Sequence, residues 1–192
     1  MDNNPDKTII VAIGPPLGGK STFCQNLPGR FVVESFASPL YEMLGTVIGK
    51  NKVRELRRMN EKGNPCEELC GETLRRALQT LGTEWGRELM GEDIWLDHLL
   101  RRSADFSKIA VDDMRFPNEY EGLRKQGAIF VRLLPHKTLR KEGKGGWKGH
   151  QSEAHWKTFK VHDVIEWDER VEIMNAAQKF SFEAYRGTEP KL

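Results

Sequence analysis

Apolar positions in this chain fall into short continuous runs that alternate with segments of helical spacing. Thr8–Ile13 (TIIVAI) is apolar at five of six positions and stops at Gly14, which predicts a strand covered on both faces. Residues 30–36 (RFVVESF), Lys108–Val111 (KIAV), 128–134 (AIFVRLL) and 161–167 predict further strands. Between them, residues 20–26 are expected to be helical, and 38–62 mostly helical with breaks at Gly45 and Gly49. Leu74, Leu78 and Leu81 recur at helical spacing within a pattern over 67–90, weakened later by Gly82 and Gly86. Residues 93–102 and 169–182 give two more helices. Another runs over 117–126, opened by Pro117, a residue that suits the first helical turn. Strands alternating with helices imply an α/β fold, a mostly parallel sheet with helices on both faces.

Length and charge narrow this modestly. At 192 residues the chain has room for one domain with a substantial core. Thirty basic residues nearly balance 28 acidic ones, so net charge points to no partner. The local exception is 132–148, where Arg132, Lys137, Arg140, Lys141, Lys144 and Lys148 face one acid, Glu142. Cys24, Cys66 and Cys70 form no disulfide framework or zinc pattern and read as ordinary reduced thiols. The polar start MDNNPDK, with only a short apolar run after it, predicts a soluble cytoplasmic protein with no membrane partner.

The strongest chemical signal follows the first strand. Gly14-Pro-Pro-Leu-Gly18-Gly19-Lys20-Ser21 satisfies G-x-x-x-x-G-K-[ST] at every fixed position, between a predicted strand and a predicted helix. Gly14, Gly18 and Gly19 let backbone N–H groups turn toward a phosphate, with Lys20, Ser21 and Thr22 opening the helix. Lys20 is placed to bridge β- and γ-phosphates, and Ser21 to hold Mg²⁺, so the expected cofactors are ATP and Mg²⁺. No N-K-x-D base-reading motif of GTPases occurs, and motor ATPases usually need a larger chain. A small kinase fits better.

Beyond this loop the chain resembles phage-type deoxynucleoside monophosphate kinases, members of the P-loop nucleotide kinase superfamily. Residues 74–83 (LRRALQTLGT) with Ile94-Trp95-Leu96 are similar to their acceptor helix. Residues 111–119 (VDDMRFPNE) are similar to their D-x-R strand end. His150-Gln-Ser-Glu153 and Asp163-Val-Ile165 are similar to their H-x-S-E and D-x-I elements. The resemblance implies a nucleoside monophosphate kinase-like P-loop NTPase fold over 1–192. In it, 1–37 and 104–192 form the core, 38–103 a helical acceptor-binding part, and 135–150 a small mobile lid carrying Arg140.

The implied acceptor is a deoxynucleoside monophosphate. Arg75 would hold its phosphate, Leu40, Gly82 and Thr83 would line its pocket, and Trp95 would flank its base. Asp113 would sit near acceptor and metal, Asp112 with Ser21 at the metal, and Arg115 beside the transferred group. Lys20, Asp113 and Arg115 are thus the expected catalytic set. From the residues alone, Arg75 also reads as part of a solvated helix face and Trp95 as a core anchor.

Two departures from the family stand out. Pro16, Leu17 and Gly18 replace the family's usual basic stretch before G-K, with Ser21 in place of the acid that follows it. Tyr41 follows Ala37-Ser-Pro-Leu40 where the family tends to carry Lys. Two cations expected near the acceptor phosphate are missing, and Arg57, Arg58, Arg132 and the late basic segment are candidates to replace them. The same losses, with the basic stripe, suit an alternative acceptor, a hydroxymethylated pyrimidine within phage DNA. A nucleotide-dependent DNA-binding regulator is a third reading, and a homodimer is left open.

Overall fold

The computed structural model describes residues 7–58, 62–135 and 155–191. Five strands form one sheet in the order β2-β3-β1-β4-β5, with every neighbouring pair parallel. They are β1 (Thr8–Ile13), β2 (Val32–Glu34), β3 (Lys108–Val111), β4 (Ile129–Pro135) and β5 (Asp163–Trp167). The central strand is the continuous apolar run, and all six of its residues are buried. Ile10 pairs with Ala110 of β3 on one side and Ile129 of β4 on the other.

The chain divides into two compact units, Met1–Ser35 with Leu100–Leu192, and Phe36–Leu99. The first contains the sheet and the helices α1 (Lys20–Gln25), α6 (Pro117–Lys125) and α7 (Arg170–Lys179). One face of the sheet presents Ile10, Ala12, Ala110, Ile129, Val131 and Leu133 to a core completed by Phe23 of α1 and Ile173 and Ala177 of α7. Phe180, just past α7, meets Phe23 edge to face at 5.6 Å.

α6 and α7 begin with the same device. The buried Glu119 carboxylate accepts from the N–H groups of Arg115 and Phe116 at 2.7 and 3.0 Å. Glu172 does so for Asp168 and Glu169 at 2.6 and 3.1 Å, and these donors pull its carboxyl below the usual range. Each acid satisfies N–H groups that a helix start would otherwise leave without acceptors.

The second unit is helical: α2 (Ser38–Ile48), α3 (Lys50–Arg58), a 3₁₀ turn (Glu67–Leu69) and α4 (Leu74–Gln79), which widens into a π-type helix (Thr80–Met90). Leu44, Ile48, Val53, Leu56, Cys66 and Leu74 form its core. α5 (Ile94–Arg102) follows in sequence. No helix among the described residues is long and apolar enough to cross a membrane.

Several expected bounds change, each for a local reason. The helix expected from residue 67 begins at Leu74, because Cys70 and Gly71 take positive φ and Thr73 caps the helix through the Arg76 N–H. α2 continues through Gly45, which is buried and lies close to Lys50, so that glycine serves packing and not termination. The second strand keeps only three residues, since the Ser35 hydroxyl turns to the Asp113 carboxylate. Val161 bridges antiparallel to Lys191 and so lies outside β5. The expected lid and Arg140 lie outside the described residues except for Pro135, as do residues 150–153 of the H-x-S-E resemblance.

Candidate phosphate-loop site

The loop between β1 and α1 is shaped by what surrounds it. A Cβ on Gly14 would lie 2.5 Å from the Leu133 carbonyl oxygen of β4, too close for any side chain. Gly19 has φ of 82°, a backbone shape that disfavours side chains, and a Cβ there would collide with Ile173 of α7. Trp167, at the end of β5, donates its indole N–H to the Gly18 carbonyl at 3.2 Å. Its ring also borders Gly19. The arch is therefore held from β4, β5 and α7 together. Leu17 forms its tip, 89% exposed and at φ of 59°, an uncommon conformation for a branched residue.

Lys20 folds back over this arch and donates to the Gly14 and Pro15 carbonyls at 3.1 and 2.7 Å. Ser21 lies close enough to the Asp112 carboxylate, which follows β3, to lower its pKa. Burial pushes the Asp112 carboxyl above its usual range, and the neighbouring Asp113 charge adds to this; Ser21 and Lys20 oppose it. A half-buried carboxylate beside a hydroxyl and next to a second acid offers hard oxygen donors that a divalent cation would satisfy. Mg²⁺ fits the residues present.

Asp113 accepts from the Ser35 hydroxyl at 2.6 Å, which fixes its carboxylate beside the end of β2. Arg115 is exposed, and its backbone N–H is held by Glu119. Parallel pairing of β1 with β3 sets Asp112, Asp113 and Arg115 at the same sheet edge as the loop, where α/β folds bind their ligands. Behind the loop, burial raises the Cys24 thiol well above its ordinary pKa, so it is an inert core residue. Thr22 is half-buried in α1.

The expected acceptor residues fall in the helical unit. Leu40 is buried, Arg75 and Thr83 are half-buried, and Gly82 is buried beneath the Leu40 side chain. Trp95 is 5% exposed. It donates its indole N–H to the Gly82 carbonyl at 2.8 Å and lies so close over Gly86 that no Cβ would fit there. That geometry is the core-anchor alternative for Trp95, not the base-flanking one: the ring is spent on packing the π-type helix. Trp85 packs beside it, ring centroids 6.0 Å apart.

Sequence reasoning missed the parts played by Trp167, Ser35 and Glu119. A tryptophan ending the last predicted strand was a usable signal, since strand ends of a parallel sheet face the loop. Ser35 and Glu119 offered none.

No family model matches the chain. It is 40% identical over 68 residues to the deoxynucleoside-5′-monophosphate kinase of Escherichia phage T5, a match taking in 32% of this chain and 27% of that protein. The matched stretch is thus about a quarter of the length of that relative, and it supports the resemblance to phage-type nucleotide kinases. Among solved structures, a sugar kinase from Janibacter sp. HTCC2649 covers 89% of the chain at 16% identity with a TM-score of 0.39, and 92% of its own length is aligned. A protein of Chloroflexus aurantiacus j-10-fl covers 88% at 12% identity with a TM-score of 0.45, over 93% of its own length. The parallel sheet and the loop between β1 and α1 themselves make this an α/β fold of the P-loop type.

Proposed function

We propose that the chain is an ATP-dependent phosphotransferase whose acceptor is a deoxynucleoside monophosphate, giving the diphosphate. The observation that carries this reading is the glycine loop after β1, over which Lys20 folds back onto the Gly14 and Pro15 carbonyls, with Ser21 beside the Asp112 carboxylate. The partial match to a nucleotide kinase supports the acceptor class.

The residues divide the work. Backbone N–H groups of the loop would hold the donor phosphates, and Lys20 would exchange its carbonyl partners for β- and γ-phosphate oxygens. Ser21 and Asp112 would hold Mg²⁺, which neutralises charge on those oxygens when bound. An acceptor phosphate oxygen forms a bond to the γ-phosphorus as the bond from that phosphorus to the β–γ bridging oxygen breaks, and ADP leaves with the electron pair. A phosphate nucleophile at neutral pH has no proton to lose, so the chemistry needs positioning and cations more than a base. Arg115 and Lys20 would supply such cations.

The test is a panel of acceptors with γ-labelled ATP: each dNMP, hydroxymethylated dNMPs, and plain and hydroxymethylated DNA. Label on at least one free dNMP is expected. Label on hydroxymethylated DNA alone would replace this acceptor with the DNA-embedded one.

A further inference from the structure

We infer that Tyr41, Arg57, Lys62 and Arg75 form a binding site for a phosphate monoester. The inference rests on the proposed acceptor and names the groups that take its phosphate. The fold brings cations to the Tyr41 ring. The Arg57 guanidinium of α3 lies over the Tyr41 ring, 4.0 Å from its centroid. Lys62, past the end of α3, donates its ammonium to the Tyr41 hydroxyl at 2.7 Å. The Arg75 N–H of α4 donates to the Lys62 carbonyl at 2.8 Å, and the Arg75 guanidinium borders Gly63. Two formal cations thus meet on one phenol of α2, itself seated on the unit's apolar core, and a third borders Gly63, next in the chain to Lys62.

Their neighbours explain why this is not an ordinary surface ion-pair network. Carboxylates of the same unit are engaged elsewhere, Glu68 with Lys52 at 3.2 Å and Glu72 with Arg76 at 3.4 Å. Among the described residues, no carboxylate pairs with Arg57 or Lys62. Gathering the Arg57 and Lys62 charges on one phenol without an acid costs free energy that a bound anion returns. The hydroxyl adds direction. Its oxygen already accepts from Lys62, which leaves its own proton to donate to an anion. A planar guanidinium, an ammonium and a phenol O–H match the several oxygens and double charge of a terminal phosphate. A DNA backbone diester offers one charge and no free end, so the site favours a free nucleotide acceptor.

The experiment measures affinities by calorimetry for three probes: 2-deoxyribose 5-phosphate, each of the four dNMPs, and ATP with Mg²⁺. Lys62→Met is expected to raise the Kd for the sugar phosphate and for any bound dNMP about tenfold or more, the size of a lost charge-assisted contact. Tyr41→Phe should raise it about threefold, as for a neutral hydrogen bond. Lys62→Arg should restore most of the affinity, and ATP affinity should hold throughout. Arg57→Met, at an exposed position, gives the same reading if Lys62→Met fails to fold. Monophosphate affinities equal to wild type in both methionine variants would overturn the inference and leave the proposed function standing. A wild-type protein that binds ATP but no dNMP would overturn the proposed acceptor instead. The sugar phosphate then decides the site: binding lost in the variants upholds it, and no binding at all overturns it.

Discussion

The phosphate loop and the helical unit, Phe36–Leu99, assemble their candidate sites in opposite ways. In the loop the ligand-facing surface is backbone, and the surrounding side chains exist to shape it. Leu133, Ile173 and Trp167 press on Gly14, Gly18 and Gly19, so the glycines are dictated by contact. In the helical unit the surface is side chain, and its cations come from separate segments around Tyr41. A backbone site tolerates almost no change in sequence pattern. A side-chain site can lose a cation at one position and take one from another, so under the proposed function the two departures from the resembled kinases are compatible with the same chemistry.

That contrast can be broken at four places. The largest effect is expected from Lys20→Ala: a loss of about a thousandfold or more in turnover, typical of removing a transition-state charge contact. The Lys20 ammonium donates to loop carbonyls at the sheet's end, so thermal unfolding should move little. Unchanged turnover in a folded variant would remove the donor site from the loop.

Trp95→Ala should do the reverse. Losing a buried aromatic ring that packs the π-type helix should cost about 3–5 kcal/mol of stability. Calorimetric unfolding checks this, with ATP affinity measured below the transition and expected to hold. A stable variant with altered base preference would return Trp95 to the acceptor.

Trp167→Phe keeps an aromatic ring but removes the hydrogen bond to Gly18. A net loss of about 1 kcal/mol predicts roughly a fivefold rise in the KM for ATP, with kcat and the acceptor KM unchanged. An unchanged KM for ATP would mean that packing alone sets the arch.

The smallest effect concerns stability without ligand. Asp112 has a folded pKa raised above its unfolded value, so its buried charge opposes folding above that pKa and the penalty fades as pH falls. Asp112→Asn should therefore raise the unfolding temperature of the ligand-free protein at neutral pH. The gain should shrink as pH drops through the carboxylate range. A destabilised variant at neutral pH would show that the Ser21 and Lys20 contacts outweigh burial.

Much of the fold was legible because its signals are local. A continuous apolar run can only be a covered strand here, and the glycine-lysine-serine spacing between strand and helix has one common structural outcome. The strand bounds at Lys108–Val111 and the start of α6 at Pro117 emerge as expected for the same reason. Trp95 was different: its composition suits a core and a base pocket equally, and only the close approach over Gly86 separates them.

By itself, then, the sequence determined the parallel α/β order, the loop and the acids after β3, since each depends on neighbours within a few residues. Tertiary structure decided everything that depends on distant partners. It brought the Trp167 indole to a carbonyl 149 residues away, and it turned Ser35 toward Asp113 across 78. It also gathered Arg57 and Lys62 on Tyr41. Such contacts are set by how packed elements bring side chains together, and no spacing along the chain encodes that distance.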